Sequence, residues 1–380
     1  ALQWGQMLVV LGLLAASPDQ AGQAGAVYVL AAILLGFMAW RVAARWDGAA
    51  FGFGPPILFW ISASLMALAW SADPSAGVNP LARSIAHALF FVTAMVCARR
   101  VRGTALAFTA LDWGAALLAA YALYQAAREM PALHAQLFAA RAPRNAWEIE
   151  MANRLLGGRA FSLFASPNLL GGFLAMTLPI SLVLAVTARA GAARAGLFIT
   201  VVLQALGVFV TGSLGAWLAA GAGAGLALCA GPGPRDVRVR ARRRWILSWL
   251  ALLVLGGGTM LLFLRGPESV AHNLGTRLAN WESAVHMALD HPLTGTGPGT
   301  FGTEFPTYQS PRGDYVRYAH NALLQALAET GLAGFAALVW LLGVLALTVA
   351  RPLGRMREGR KRWLLAGFVG ATAAGLVHAC

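Results

Sequence analysis

His320 is followed at once by Asn321 and then by Gln325 and Glu329. An imidazole exchanges protons near neutral pH, which suits it to activating a poor nucleophile such as a hydroxyl. Arg317 stands three residues before it, close in any backbone conformation, and Arg277 and Arg159 lie further upstream. Guanidinium groups are planar forks that hold phosphate or carboxylate oxygens bidentately. Fixed donors of that kind stabilise a negatively charged leaving group without a metal ion. No metal centre and no cofactor are expected. The cysteines are Cys97, Cys229 and Cys380, and His272, His286 and His291 lack a ligand-set spacing.

Each of these residues also has a plainer reading. His320 could cap a helix mouth, and Asn321 could cap or orient rather than react. Arg277 could be a surface charge or pair with Glu282. Arg159 could snorkel along the membrane. Glu329 lies about 2.5 helical turns beyond His320, so it faces away and reads as structural. Asp112 falls inside an apolar run, where an ionisable group is a functional candidate by default; a hydrogen bond to a neighbouring helix is the competing explanation. Gly297 to Gly302 matches the GxGxxG spelling, but no strand precedes it and no acidic partner follows, so it is not a dinucleotide loop. Gly221, Gly223 and Gly225 suit close helix packing.

The elements that must hold these residues follow from composition. Of 380 residues, 58% are hydrophobic and 12% are charged, against about 25% charged in soluble proteins. That excludes a soluble globular domain and predicts an all-α polytopic membrane protein, because an alternating barrel strand would be less continuously apolar. Apolar runs near 2–16, 24–40, 55–70, 81–98, 104–124, 168–188, 195–210, 213–230, 245–264, 321–350 and 363–380 predict eleven spans. The expected organisation is helices 1–5 over 1–124, a long loop at 125–167, helices 6–9 over 168–264, a second long loop at 265–320, and helices 10–11 over 321–380. Short helices are expected in the loops.

Basic residues set the orientation. Loops 41–54, 99–103, 189–194, 231–244 and 351–362 are alternate loops and hold 19 of the 29 Lys and Arg. They are placed in the cytoplasm, with the amino terminus inside. The Arg235–Arg244 run then serves topology and anionic lipid, and no nucleic-acid partner is expected. The two long loops face outward and contain nine of the other ten arginines. Long loops in compact proteins are usually functional or disordered. Nucleotide sugars and ATP are absent on that face, so an energised substrate would arrive as a lipid-linked diphosphate. The chain begins at Ala1 and stops inside an apolar run; a fragment is expected.

The outer segments carry an ordered set of motifs. The first closes with Gly158-Arg159-Ala160-Phe161 and Ser166-Pro167-Asn168. Pro167 disfavours helix at Ser166 and suits the first turn of the next helix. The second has Thr276-Arg277, then Trp281, then Pro292-Leu293-Thr294-Gly295-Thr296-Gly297-Pro298-Gly299-Thr300-Phe301. It ends with His320-Asn321, Gln325, Glu329 and Gly331-Leu332-Ala333-Gly334. In that order they resemble the O-antigen ligase superfamily, which also includes O-antigen polymerases and bacterial protein O-oligosaccharyltransferases. The resemblance runs over about 155–350. Leu214, in Thr211-Gly212-Ser213-Leu214-Gly215, departs from the family, which often has an arginine there; Arg159, Arg265 or Arg317 could supply the charge.

The resemblance implies transfer of a glycan from undecaprenyl diphosphate to an acceptor hydroxyl, without metal and with inversion. His320 would be the base, and Arg277 and Arg159 would hold the diphosphate. Arg317, Asn321, Asn168 and Trp281 would line the substrate. The acceptor could be lipid A-core, a growing glycan or a protein hydroxyl, matching ligase, polymerase or protein glycosylase. The setting would be the bacterial inner membrane, with the site on the periplasmic face and the lipid bilayer as a partner. About twelve spans would be expected in the full protein. From other classes, a lipid-glycan flippase would want a central ionisable path and repeated halves. A rod-shape-type peptidoglycan polymerase would rely on an outer-loop acid such as Asp314.

Overall fold

The computed structural model describes residues 52–100, 104–132, 158–189, 191–232, 254–260, 262–264, 266–310, 316–356 and 359–379. The spans expected near 2–16 and 24–40, most of the first long loop, the Arg235–Arg244 run, Arg265 and Asp314 lie outside these residues. The described elements are helical: α1 (Gly54–Ala69), α2 (Pro74–Arg100), α3 (Thr104–Tyr124), a π-turn (Gln125–Glu129), α4 (Pro167–Thr187), α5 (Ala192–Val210), α6 (Leu214–Ala230), α7 (Pro267–Asp290), α8 (Phe301–Tyr308), α9 (Ala322–Arg355) and α10 (Arg360–Ala379). Among the described residues, four helices are long and apolar enough to cross a membrane: Ala107–Ala132, Pro167–Thr187, Ala192–Val210 and Ala322–Arg355. α1 and α6 are shorter apolar helices. Within the stretch expected as the second long loop lie α7, of 24 residues, and the short α8, of eight.

The chain forms two compact units, each discontinuous in sequence. One comprises Ala1–Thr104, Glu268–Thr348 and Ala379–Cys380; the other comprises Ala105–Pro267 and Val349–His378.

In the second unit, α4 starts where its sequence dictates. Ser166 is extended, its hydroxyl accepts from the Leu169 N–H at 3.3 Å, and Pro167 takes the first helical position. Ser213 caps α6 in the same way through the Ala216 N–H. The packed interior of α3, α4, α5 and α6 is built from Ala115, Ala119, Leu170, Leu174, Val208 and Ala216. Small residues let these backbones approach: a Cβ on Gly207 would come within 2.7 Å of Ala119 Cβ.

Asp112 of α3 is buried at 1% exposure. Its carboxylate accepts from Thr200 Oγ1 at 2.9 Å and from Gln204 Nε2 at 3.0 Å, both on α5. Gln204 also donates to Ser181 Oγ at 2.8 Å and accepts from Thr177 Oγ1 at 2.9 Å, both on α4. The carboxylate thus ties α3 to α5, and Gln204 extends the network to α4, which is the helix-to-helix explanation the sequence left open. Asp112→Ala is expected to lower stability by about 1–3 kcal/mol, because polar partners lose their acceptor in a buried place. Asp112→Asn keeps the shape and one acceptor and should cost less; thermal unfolding in detergent measures both.

In the first unit, the interior under α7, α8 and α9 is Ala284, Met287, Phe301, Phe305, Ala319 and Ala328. The sequence reads 321–350 as one span, but α9 is broken. Gly331 sits at φ 62°, ψ −164°, a conformation essentially reserved for glycine. In an unbroken helix the Leu332 N–H would bond to the Ala328 carbonyl. Here it donates to Pro292 O at 2.8 Å instead. The Ala328 carbonyl accepts from the Thr296 N–H, and the Glu329 carbonyl accepts from the Gly297 N–H, both at 3.0 Å. Gly295, Gly297 and Gly299 all have positive φ, which lets the loop lie flat against the helix. The glycine-rich motif is therefore a main-chain clasp on the break in α9.

Candidate functional site

The clasp and α9 together place His320. Asn321 Oδ1 accepts from the N–H groups of Leu323 and Leu324 at 3.0 and 3.1 Å, which caps the first turn of α9. Gln325, one turn on, accepts from the Ala319 N–H at 2.7 Å and donates to Glu329 Oε1 at 2.6 Å. Glu329 Oε1 also accepts from the Phe301 N–H at 3.3 Å. The acid thus belongs to the framework that joins the clasp to the helix. Residues 319 and 321 are each pinned, and His320 between them is exposed.

His320 has φ 54°, and Ser162 has φ 52°. These are the non-glycine residues with positive φ among the described residues. Histidine tolerates this region better than most residues, but a cost of about 1–3 kcal/mol is normal and such outliers gather at functional sites. Partial desolvation of the His320 ring where it lies against the protein, with the positive charge of Arg277 second, holds its pKa below the ordinary imidazole value. At neutral pH the ring is therefore neutral and able to accept a proton. Arg277 lies exposed on α7, close enough for its charge to act on that ring.

Arg317 is exposed, with its guanidinium 5.8 Å from the Tyr318 ring centroid. Trp281 is half-buried on α7, and its indole N–H finds no hydrogen-bond partner among the described residues. Its neighbour Asn280 is fully buried, with both side-chain polar atoms equally without partners among them. No sequence pattern had marked Asn280, because one amide on an amphipathic helix carries no spacing signal. A cavity of about 320 Å³ opens beside the start of α9, lined by Trp60, Leu81, Pro298, Gln325, Glu329 and Leu338 among others.

Arg159 and Asn168 belong to the second unit and meet there. Arg159 Nε donates to Thr211 O at 2.7 Å, and its Nη2 donates to Asn168 Oδ1 at 2.7 Å. The stem passes 3.4 Å from where a Cβ on Gly212 would lie. Arg159 therefore occupies the turn that precedes Leu214. Gln125, in the π-turn, accepts from the N–H groups of Phe161 and Ser162, both at 2.8 Å, and holds the segment that follows Arg159. No spacing or motif marks Gln125 for this role.

The O-antigen ligase family model matches residues 199–339. This stretch belongs to the O-antigen ligase family. The O-antigen ligase region runs from within α5 through α6, α7, the clasp and α8 into α9. It contains Thr211, Arg277, Trp281, Arg317, His320 and Asn321, whereas Arg159 and Asn168 precede it. The family and the apolar helices mark an O-antigen ligase-like membrane enzyme. Among curated proteins none matches the chain.

Proposed function

We propose that this protein transfers a glycan from an undecaprenyl-diphosphate-linked donor to an acceptor hydroxyl on the outer, periplasmic face of the bacterial inner membrane. The observation that carries this reading is the pinned, neutral imidazole of His320 under the charge of Arg277, inside the O-antigen ligase region. His320 takes the proton of the acceptor hydroxyl as that oxygen attacks the anomeric carbon. The bond from that carbon to the diphosphate oxygen breaks, and the diphosphate leaves with the electron pair. Direct attack inverts the anomeric configuration. Arg277 and Arg159 bind the diphosphate, and Arg317, Asn321, Asn168 and Trp281 contact substrate. Guanidinium groups are suited to this because the leaving group gains charge as the bond breaks.

The deciding experiment supplies purified protein with undecaprenyl-diphosphate-linked oligosaccharide and, separately, lipid A-core, a glycan and a protein acceptor. Product with one acceptor identifies the ligase, polymerase or protein-glycosylating branch. Donor release with no acceptor glycosylated, alongside wild-type output from His320→Ala, would overturn the reading.

The electrostatics of His320 make a pH prediction. Only the neutral ring acts as base, so activity falls as pH drops through its pKa, and a lowered pKa keeps the enzyme active to lower pH. Arg277→Gln removes the repelling charge, the pKa rises toward the ordinary value, and the acid limb moves to higher pH. Profiles of kcat/KM for the two proteins should show that displacement besides the lower activity; coincident limbs would contradict it.

A further inference from the structure

The end of the second unit that holds Arg159 also holds a histidine marked by no motif. His378 lies in the last turn of α10, and its Nε2 is 2.9 Å from the Asn168 carbonyl oxygen. A carbonyl only accepts, so Nε2 carries the proton and donates. Gly172, one turn further along α4, makes room for the ring. A Cβ there would lie 2.7 Å from Nε2 and closer still to Cδ2. On the α6 side, His378 Nδ1 is 3.9 Å from the place a Cβ on Gly215 would take. The imidazole thus fills the space between the first turns of α4 and α6. Asn168, whose main chain it holds, is the residue whose side-chain oxygen accepts from Arg159.

We propose that His378 is a positioning residue for Arg159: by fixing the first turn of α4 through the Asn168 carbonyl, it sets the amide that aims the guanidinium at the donor's diphosphate. The inference rests on the proposed role of Arg159. A fork of fixed donors binds oxyanions well only when its plane is held. The Asn168 amide and the Thr211 carbonyl hold it from two sides, and of these Asn168 depends on His378.

The test uses the full chain in nanodiscs with three variants. His378→Ala removes the donor. His378→Gln presents an amide nitrogen near the same place. Gly172→Ala pushes the ring away while leaving it in the chain. Binding of undecaprenyl diphosphate is measured by intrinsic fluorescence, and transfer is measured at saturating donor. His378→Ala and Gly172→Ala should each weaken binding about tenfold, the loss of one charge-assisted hydrogen bond. His378→Gln should stay within about threefold of wild type, a variant combining His378→Ala with Gly172→Ala should be no worse than either single one, and kcat should hold.

A second readout needs no substrate: phenylglyoxal modification of Arg159, followed by mass spectrometry. It should speed up in His378→Ala and Gly172→Ala but not in His378→Gln. If wild type binds no undecaprenyl diphosphate, the transferase reading fails, and the modification rates alone decide on His378. Equal rates in all four proteins overturn the proposal, as does a Gln variant as defective as Ala. A kcat loss at saturating donor equal to that of His320→Ala also overturns it, because the imidazole would then act on substrate.

Discussion

His320→Ala is expected to lower kcat by about 10²–10⁴-fold, the range that a positioned general base contributes, with the KM for donor little changed. Donor affinity is expected to survive because the guanidinium groups, not the imidazole, are assigned to the diphosphate. The protein should remain folded. The residue is exposed, its neighbours are fixed by Asn321 and Gln325, and alanine relieves no buried partner. Stability could fall slightly, since alanine is less at ease than histidine at φ 54°. Steady-state transfer with purified variant, at matched protein level and matched unfolding temperature, measures the effect. A loss below tenfold would remove His320 from the role of base.

Gly331→Ala is expected to destroy the clasp. A Cβ there would collide with the main-chain carbonyl group of Leu293 and lie 2.7 Å from the Thr294 nitrogen. The backbone has nowhere to retreat, because the same stretch of loop bonds to α9 on both sides of the break. The φ and ψ of Gly331 add their own cost, about 1–3 kcal/mol for a side-chain-bearing residue. If the helix instead closes over the break, the Thr296 and Gly297 N–H groups lose their carbonyl partners, at about 1–3 kcal/mol each when buried. Total destabilisation of more than about 3 kcal/mol is therefore expected, with transfer lost as His320 loses its support. Gly343→Ala, in the same helix with open space at its Cβ, is the matched control and should be near neutral. Unfolding midpoints and activity of the pair give the comparison.

Much of the architecture could be read from the sequence because the membrane simplifies the reading. Runs such as 168–188 and 195–210 are uncharged and mostly apolar, and their backbones must bond internally. Pro167 after Ser166 marks the start of α4, one residue ahead of the run read at 168–188, because one side chain caps and the other cannot donate. His320, Asn321, Gln325 and Glu329 were visible as a set, since they lie within one short stretch. The clasp was not visible. Its glycines could be seen, but which helix carbonyls their segment bonds to depends on a helix break that hydropathy does not register. His378 was hidden for another reason. Its partner Asn168 lies 210 residues away, and a single histidine near the end of an apolar run has no neighbours that give it meaning. Asp112 stands out within its apolar run, but its partners on α5 are an ordinary Thr and Gln, which such helices carry for many reasons. The two units could not be anticipated either, because each is assembled from distant stretches of chain.

The exchange of main-chain partners across the break in α9 bears on how such a protein can change over generations. Two segments that complete one another's backbone bonding share a register. Deleting or inserting one residue in either segment shifts every donor off its acceptor at once. Side chains there can drift, but lengths cannot, unless both segments change in the same step.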